Sequence, residues 1–207
     1  MKQLNLKKTQ DSLRKKFLKS GVKMIAPDTI YFSKDTKVGK KVTIEPYVVI
    51  GTKVKIGNSV IIRSFSHLEN CRIESKVEIG PYARIRPGTT LKEGSKIGNF
   101  VEIKKSTIGK KSKVNHLAYV GDTSIGKSAN IGAGTITCNY DGVKKNKTKI
   151  EDNVFVGSNS SLVAPLTLKE NSIIGAGSVI TRNVNKKSLA MTRSQQLELK
   201  NYKRKSK

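Results

Sequence analysis

The fold is decided by residues 38–68, which read VGKKVT-IEPYVV-IGTKVK-IGNSVI-IRSFSH-L when divided into hexads that each begin with an aliphatic residue. The aliphatic position continues at this spacing, apart from a few five-residue steps, to Ile131, and it resumes at Ile150 after an insertion. Glycine often follows the aliphatic residue, as at Gly51, and a small or β-branched residue often stands four positions after it, as at Val54.

A period of six fits neither an amphipathic helix, with a period of about 3.6, nor a half-buried strand, with a period of about two. It fits a flat strand followed by a corner, where glycine accepts a positive φ. Three such units close a triangular coil, which is the unit of a parallel β-helix. At about 4.8 Å per coil, roughly eight coils would form a prism about 40 Å long. The sequence therefore predicts an all-β fold, a parallel β-helix of hexapeptide repeats, over an ordinary β-sandwich.

Composition narrows the class of protein. The hydrophobic fraction is 36% and tryptophan is absent, which suits a thin core of Ile, Val and Leu. No apolar run approaches the roughly 20 residues of a bilayer span, and the N-terminus lacks the apolar region of a secretory signal. Cys71 and Cys138 are isolated, which argues against a disulfide scaffold or a zinc ribbon and favours a cytoplasmic location.

Charge is concentrated at the two ends of the chain. Of the net charge of +26, residues 1–24 carry +7 and residues 182–207 carry +8. We expect three parts: a basic amphipathic helix or linker in residues 1–24, with the helix over 5–22, a β-helix domain in residues 25–182, and a basic C-terminal tail in residues 183–207. A basic excess attracts nucleic acid, anionic lipid, phosphorylated sugars and nucleotide cofactors alike.

The hexad register predicts which polar side chains face outward. His116, Ala133, Ser158 and Ala176 each stand two residues after an aliphatic position, on four successive coils of the same face. We therefore expect one histidine at the end of a column of small residues, which forms a groove for a thin extended ligand.

The register predicts a second cluster, in which Arg86, Lys104 and Tyr119 gather with His116 near one edge of the prism. A base, a phenol and two cations suit an anionic polar substrate. The long insertion, Cys138–Lys149, must project outward because the prism has no room for it, and loops on rigid scaffolds are favoured places for function.

Four blocks carry a resemblance to a known family: residues 80–88 (GPYARIRPG), 97–105 (IGNFVEIKK), 115–122 (NHLAYVGD) and 130–142 (NIGAGTITCNYDG). Together they resemble the acetyltransferase half of the bifunctional bacterial glucosamine-1-phosphate N-acetyltransferase / N-acetylglucosamine-1-phosphate uridyltransferase family. The hexapeptide repeat resembles that of the left-handed β-helix acyltransferases, an exception to the right-handed crossover rule, so the resemblance implies a left-handed coil.

The resemblance implies transfer of acetyl from acetyl-CoA to the amine of glucosamine 1-phosphate, within the synthesis of UDP-N-acetylglucosamine for peptidoglycan and lipopolysaccharide. It implies His116 as the general base. The implied ligands of the sugar phosphate are Arg86, Lys104, Tyr119, Asn130 and Lys145. The implied contacts of acetyl-CoA are Ala133, Asn139, Tyr140, Ser158, Ala176 and Arg193. It further implies a homotrimer with sites between subunits and no metal for acetyl transfer. Because the nucleotidyltransferase half of the family lies outside this sequence, the chain is either a stand-alone enzyme, for which a separate uridyltransferase would be the partner, or a C-terminal portion of a longer protein.

The residue types agree with that chemistry. A neutral imidazole is suited to accept the proton of a sugar ammonium near neutral pH, and arginine and lysine suit a phosphate. The alternatives are a hexapeptide acyltransferase for another amino-sugar acceptor, a carbonic anhydrase on the same fold, and a binding scaffold whose basic ends hold nucleic acid. The second needs about three histidines per site, whereas the chain has only two. Composition argues against the third alternative, since the tail offers only Tyr202 for base stacking.

Overall fold

A computed structural model describes residues 2–203, and their side chains from residue 6 onward. Helix α1 (Lys2–Lys19) is followed by a 3₁₀ turn at Pro27–Thr29 and by short strands up to β27. The predicted N-terminal helix is therefore confirmed, although it ends before residue 22. Met1 and residues 204–207, which belong to the predicted helical segment and tail, lie outside the described residues.

All strands belong to three parallel sheets. The first sheet contains, in spatial order, β1 (Lys23–Met24), β4 (Thr43–Ile44), β7 (Ile61–Ile62), β10 (Glu78–Ile79), β13 (Lys96–Asn99), β16 (Lys113–His116), β19 (Asn130–Ile131), β22 (Phe155–Val156), β25 (Ile173–Ile174) and β27 (Leu189–Ala190). The second contains β2 (Tyr31–Phe32), β5 (Val49–Ile50), β8 (His67–Leu68), β11 (Arg84–Ile85), β14 (Glu102–Lys104), β17 (Tyr119–Gly121), β20 (Ile136–Cys138), β23 (Ser161–Val163) and β26 (Val179–Ile180). The third contains β24 (Leu166–Leu168), β21 (Thr148–Ile150), β18 (Thr123–Ile125), β15 (Thr107–Ile108), β12 (Thr89–Leu91), β9 (Cys71–Ile73), β6 (Lys55–Ile56) and β3 (Lys37–Val38).

Each coil takes one strand from each sheet in turn, and the eight strands of the third sheet mark eight complete coils. The chain is thus the predicted left-handed β-helix of hexapeptide repeats. We call the turn from the first to the second sheet the first corner, and the turn from the second to the third sheet the second corner. Strand β27 pairs with β25, so residues assigned to the tail from sequence add a further strand to the first sheet.

The core is a narrow stack of the aliphatic residues that define the repeat. Ile44, Ile62, Ile79 and Val114 lie above one another in the first sheet and are each fully buried or nearly so. The small or β-branched residues four positions later, such as Val60, also face inward. Burial is therefore continuous along the prism axis, which explains how a lean apolar fraction supports a long fold.

Gly80 has the expected positive φ of 89°, but other glycines after the aliphatic positions serve a different purpose. Gly98 and Gly109 do not adopt a positive φ. A Cβ at these positions would lie 1.8 Å from the carbonyl oxygen of Asn115 and 1.9 Å from that of Gly126 on the next coil. Non-glycine residues such as Lys53, with φ 57°, take the left-handed conformation instead. Glycine is required because coils stack too closely for a side chain.

Helix α1 covers the N-terminal end of the prism. The buried Gln10 side chain accepts a hydrogen bond from the Phe32 backbone N–H (2.9 Å) and donates one to its carbonyl (2.8 Å), as a neighbouring strand would. The Phe17 and Phe32 rings pack with their centroids 4.7 Å apart. The helix thereby satisfies an edge that would otherwise be open to pairing. Among residues 2–203, no helix combines the length and apolar character that crossing a bilayer demands.

Candidate active site

The first corner carries the predicted histidine column. Val114, Ile131, Val156 and Ile174 are register partners on successive strands, so the residues two positions later are stacked as well. These residues, the corner column, are His116, Ala133, Ser158 and Ala176. Backbone hydrogen bonds join their coils, from the Gly134 N–H to the His116 carbonyl and from the Asn159 N–H to the Ala133 carbonyl. The structure thus brings together four residues that the register predicted to be neighbours.

The corner column is narrow because its coils approach each other closely. A Cβ on Gly157 would lie 2.4 Å from the backbone nitrogen of Ala176. Arg193 flanks the end of the column, since its Nη2 lies 3.7 Å from the position that a Cβ on Gly175 would occupy. The column therefore offers exposed backbone with small side chains, a histidine at one end and a guanidinium at the other.

Asn99 is a site residue that the sequence reasoning missed. It is the register partner of His116 on the preceding strand, and its Oδ1 lies 2.6 Å from His116 Nδ1. The signal was present in the sequence, because Asn99 stands two residues after Ile97 and so occupies the corner column one coil earlier. The base candidate therefore has a hydrogen-bond partner within the chain.

The second corner carries three positive side chains, Arg86, Lys104 and Lys145, which we call the cation cluster. Arg86 and Lys104 follow register partners in β11 and β14. The pKa of Lys104 is lowered, first by hydrogen bonding with Lys145, then by partial burial and by the charges of Lys145 and Arg86, against an opposing effect of Asp122. Cations held close enough to repel one another mark a place where an anion would be stabilised.

Glu102 holds the arginine of this cluster. Its Oε1 accepts a hydrogen bond of 2.6 Å from Arg86 Nη1, and its Oε2 lies 3.6 Å from Arg84 Nη1. The guanidinium of Arg86 is thus oriented before any ligand arrives, while the remaining N–H groups are available to an anion.

Tyr119 extends along the second sheet towards the cation cluster. Its hydroxyl lies over Gly121, where a Cβ would be only 2.5 Å away, and Gly121 is the register partner of Lys104. Asn139 Nδ2 lies 2.9 Å from the same Cβ position, and its amide donates a short hydrogen bond to Asp122. Because Gly121 has no side chain, the Tyr119 phenol and the Asn139 amide fit beside Lys104.

The insertion forms an ordered hairpin that presents Lys145. Tyr140 and Lys145 form an antiparallel bridge, and the Tyr140 hydroxyl donates to the Gly142 carbonyl. The Asp141 carboxylate accepts hydrogen bonds from the backbone N–H groups of Val143 (2.9 Å) and Lys144 (2.8 Å) and from the Asn146 side chain (2.9 Å). These bonds lower the pKa of Asp141 to about 2. Asp141 lies within the family block at residues 130–142, but the sequence analysis assigned it no role in the site.

One chain does not bring the whole predicted set to a single place. The corner column and Arg193 lie at the first corner, and Asn130 faces outward from the first sheet. The cation cluster, Asn139 and Tyr140 lie at the second corner, beyond the strands of the second sheet. Tyr119 begins strand β17, and its hydroxyl reaches Gly121 at the second corner. Of the four residues expected to share one edge, Arg86, Lys104 and Tyr119 meet at the second corner, whereas His116 lies at the first corner, at the end of β16.

An exposed aromatic ladder runs up the first corner below His116. Its members are Tyr47, Phe65, Tyr82 and Phe100, each with a positive φ and each next to the column of Asn99 and His116. Successive rings are stacked with centroids 5.0, 4.8 and 5.1 Å apart. Leu117, which is 60% exposed, continues the ladder beside His116. A contiguous apolar stripe of this kind is typical of an interaction surface.

In the described part of the chain, no group of three or more His, Cys, Asp or Glu side chains is placed to hold a metal ion. The thiols of Cys71 and Cys138 are both free. Burial raises the pKa of the Cys71 thiol to about 12, which makes it an inert part of the core.

Two family models match the chain. One described as "GMPPB C-terminal domain" matches residues 67–164, and one described as "Bacterial transferase hexapeptide (six repeats)" matches residues 35–70 and 147–182. The second agrees with the repeat seen in both the sequence and the coils.

Curated proteins named "Bifunctional protein GlmU" are similar to most of the chain. The protein from Zymomonas mobilis is 55% identical over 187 residues, which cover 90% of this chain and 42% of that protein. The protein from Wolbachia pipientis wMel is 51% identical over 188 residues, which cover 91% and 44%. The chain thus spans less than half the length of these relatives.

Solved structures share the fold. LpxA from Acinetobacter baumannii aligns with a TM-score of 0.60 and 19% identity, over 82% of this chain and 71% of that chain. At this level of identity the likeness concerns the architecture alone.

Proposed function

Because this chain is a homologue of the C-terminal acetyltransferase part of the bifunctional GlmU proteins, we propose that it is a glucosamine-1-phosphate N-acetyltransferase that uses acetyl-CoA. The observation that carries the proposal is the cation cluster at the second corner, where Lys145 of the insertion lies near enough to Lys104, beside Arg86, to lower the pKa of Lys104. Three cations around one point suit a dianionic sugar phosphate better than a neutral sugar.

In the proposed reaction, the amine nitrogen of the sugar attacks the thioester carbonyl carbon of acetyl-CoA. His116 accepts the proton that the amine releases, the carbon–sulfur bond breaks, and the CoA sulfur leaves as a thiolate that is then protonated. Acid–base chemistry of the imidazole accounts for these steps without a metal. The pantetheine arm would lie along Ala133, Ser158 and Ala176, where no large side chain obstructs the backbone, and Arg193 would meet the nucleotide end.

We propose that the site is shared between subunits of a homotrimer. On one chain, His116 and Asn130 are separated from the cation cluster by the second sheet, so a single small substrate would reach both sets only if a neighbour supplied one of them. The aromatic ladder offers an apolar surface next to the His116 column for the neighbour to cover. The roles of Asn139 and Tyr140 towards acetyl-CoA, at the second corner, would then belong to the neighbour's groove.

The proposed product feeds the synthesis of UDP-N-acetylglucosamine, a precursor of peptidoglycan and lipopolysaccharide. We propose that a uridyltransferase activity consumes it and that the reaction takes place in the cytoplasm. A second candidate, acylation of another amino-sugar phosphate, differs only in the acceptor, and the cation cluster would serve it equally well.

The function is tested by following CoA thiol release with glucosamine 1-phosphate as acceptor. We expect turnover by the wild type and a loss of about 100-fold or more in His116→Ala. His67→Ala is the matched control, because His67 is the other histidine of the chain and lies exposed on the second sheet. Glucosamine and other amino-sugar phosphates, offered in competition, separate the two candidates. Absence of turnover from the folded protein with every acceptor would refute an acetyltransferase.

The shared site is tested by mixing two impaired variants, His116→Ala and Lys145→Ala, after joint unfolding and refolding, with the acceptor held well below its KM so that both defects lower the rate. A site built from two chains regains activity in mixed trimers, to about one quarter of the wild-type level under random assembly. A site contained in one chain stays at or below the residual activity of Lys145→Ala alone, since every chain then carries a defect in its own site.

A further inference from the structure

We infer that Asn99 is a positioning residue that fixes the tautomer of His116, holding the proton on Nδ1 so that the Nε2 lone pair is free to act as the base. The inference begins with the contact itself. Asn99 Oδ1 and His116 Nδ1 are 2.6 Å apart, and a side-chain carbonyl oxygen can only accept a hydrogen bond. The imidazole must therefore donate from Nδ1, and its remaining nitrogen is Nε2.

The contact is built into the fold. Asn99 and His116 are register partners on β13 and β16, the pair of strands with the most extensive pairing in the first sheet. The Asn99 carbonyl also accepts a hydrogen bond of 3.0 Å from the Leu117 N–H. Leu117 has φ 48°, so the chain turns sharply just after His116. Asn99 thus holds the ring through its side chain and the turn through its backbone.

Among the side chains of the first corner, Asn99 is the one that holds the His116 ring. His116 is exposed, and the other members of the corner column, Ala133, Ser158 and Ala176, are small. Ala133, on the following coil, offers no side-chain acceptor. An unheld imidazole in this place would rotate and exchange tautomers, and a base of the wrong tautomer has no lone pair at the reacting nitrogen.

The catalytic part of the inference rests on the proposed function, whereas the tautomer does not. The tautomer is read by long-range ¹H–¹⁵N correlation of the imidazole nitrogens in ¹⁵N-histidine protein. The chain has only two histidines, and His67→Gln leaves a spectrum of His116 alone. We expect a protonated Nδ1 and an unprotonated Nε2 in the neutral form. A proton found on Nε2 would overturn the inference.

Two substitutions of Asn99 separate positioning from folding. In Asn99→Leu the acceptor is lost, and we expect mixed tautomers together with a fall of about 10- to 100-fold in kcat and a change of less than about 2-fold in either KM. In Asn99→Asp the acceptor is kept and becomes a carboxylate, which stabilises the imidazolium. We expect the Nδ1–H tautomer to persist and the acid limb of the pH–rate profile to move to higher pH.

The results that would overturn the role of Asn99 are distinct from those that would overturn the proposed function. Retention of the Nδ1–H tautomer in Asn99→Leu, or an unchanged kcat, would overturn the positioning role. An unmoved acid limb in Asn99→Asp would do the same. If the wild type shows the expected tautomer but transfers no acetyl group to any acceptor, the proposed function fails and the positioning role falls with it, while the assigned tautomer stands. Far-UV circular dichroism and sedimentation of each variant, unchanged from wild type, establish that the coils remain intact.

Discussion

Replacing Lys145 by alanine tests whether the hairpin delivers a cation to the sugar phosphate. A hydrogen bond to a charged group is worth about 1.5–3 kcal/mol. Lys145 is exposed, so screening by solvent brings the expected loss to about 1–2 kcal/mol. Because about 1.4 kcal/mol corresponds to a tenfold change, we expect KM for glucosamine 1-phosphate to rise about 5- to 30-fold in Lys145→Ala.

Lys145→Ala has a second effect, on the pKa of Lys104, and this effect favours substrate binding at alkaline pH. Lys145 lowers the pKa of Lys104, so its removal returns the pKa of Lys104 towards the ordinary value for lysine. In the wild type, Lys104 loses its charge at a lower pH than an ordinary lysine, and substrate binding should weaken there as pH rises. In Lys145→Ala this alkaline rise in KM should move to higher pH.

The assay is steady-state CoA release, with the acceptor and acetyl-CoA varied separately. Lys144→Ala is the matched control, because the neighbouring lysine is exposed on the same hairpin and the backbone N–H that binds Asp141 is retained. We expect near wild-type values for this control. If Lys145→Ala raises KM for the acceptor no more than Lys144→Ala does, or raises only KM for acetyl-CoA, the cation cluster is not the phosphate site.

Three further outcomes follow from individual contacts. In Gly121→Ala the new Cβ would displace the Tyr119 hydroxyl, so we expect a several-fold loss in kcat/KM for the acceptor with little change in Tm; an unchanged kcat/KM would contradict the placement of Tyr119. In Asp141→Ala the hairpin loses three hydrogen bonds, so limited proteolysis should cut it sooner and KM for the acceptor should rise as in Lys145→Ala. The lowered pKa of Asp141 means that the carboxylate stabilises the wild-type hairpin above about pH 4 and loses that effect only as pH falls through about 2, so cleavage should not depend on pH between 5 and 8. In Phe65→Glu a charge enters the aromatic ladder, and sedimentation should show a shift from trimer to monomer, whereas persistence of the trimer would exclude the ladder from the interface.

The sequence was sufficient for the fold because the repeat is local and regular. Once Ile44 and its successors are placed inside a triangular coil, every sixth residue is constrained by the same corner, and the register of Val114, Ile131 and Val156 follows. The structure confirms this stacking, and with it the neighbourhood of His116 and Ala133. Asn99 obeys the same rule, so its place beside His116 was readable from the sequence.

The hexad pattern did not reveal why glycine is required after the aliphatic positions. A glycine in a repeat signals either a left-handed corner or a close approach, and composition alone cannot separate the two. At Gly98 the approach of the Asn115 carbonyl decides the matter, and this distance exists only when the coils are stacked.

The sequence by itself determined the coil, its inward face and the order of the outward side chains, because each depends on residues a few positions apart along a repeating chain. Only the tertiary structure decided how the insertion folds, that Asp141 ties it and that Lys145 reaches Lys104. It also decided that the candidate site is divided between two corners. The physical reason is that these contacts join segments whose approach depends on the geometry of stacked coils and of an aperiodic loop, and a hexad pattern carries no information about either.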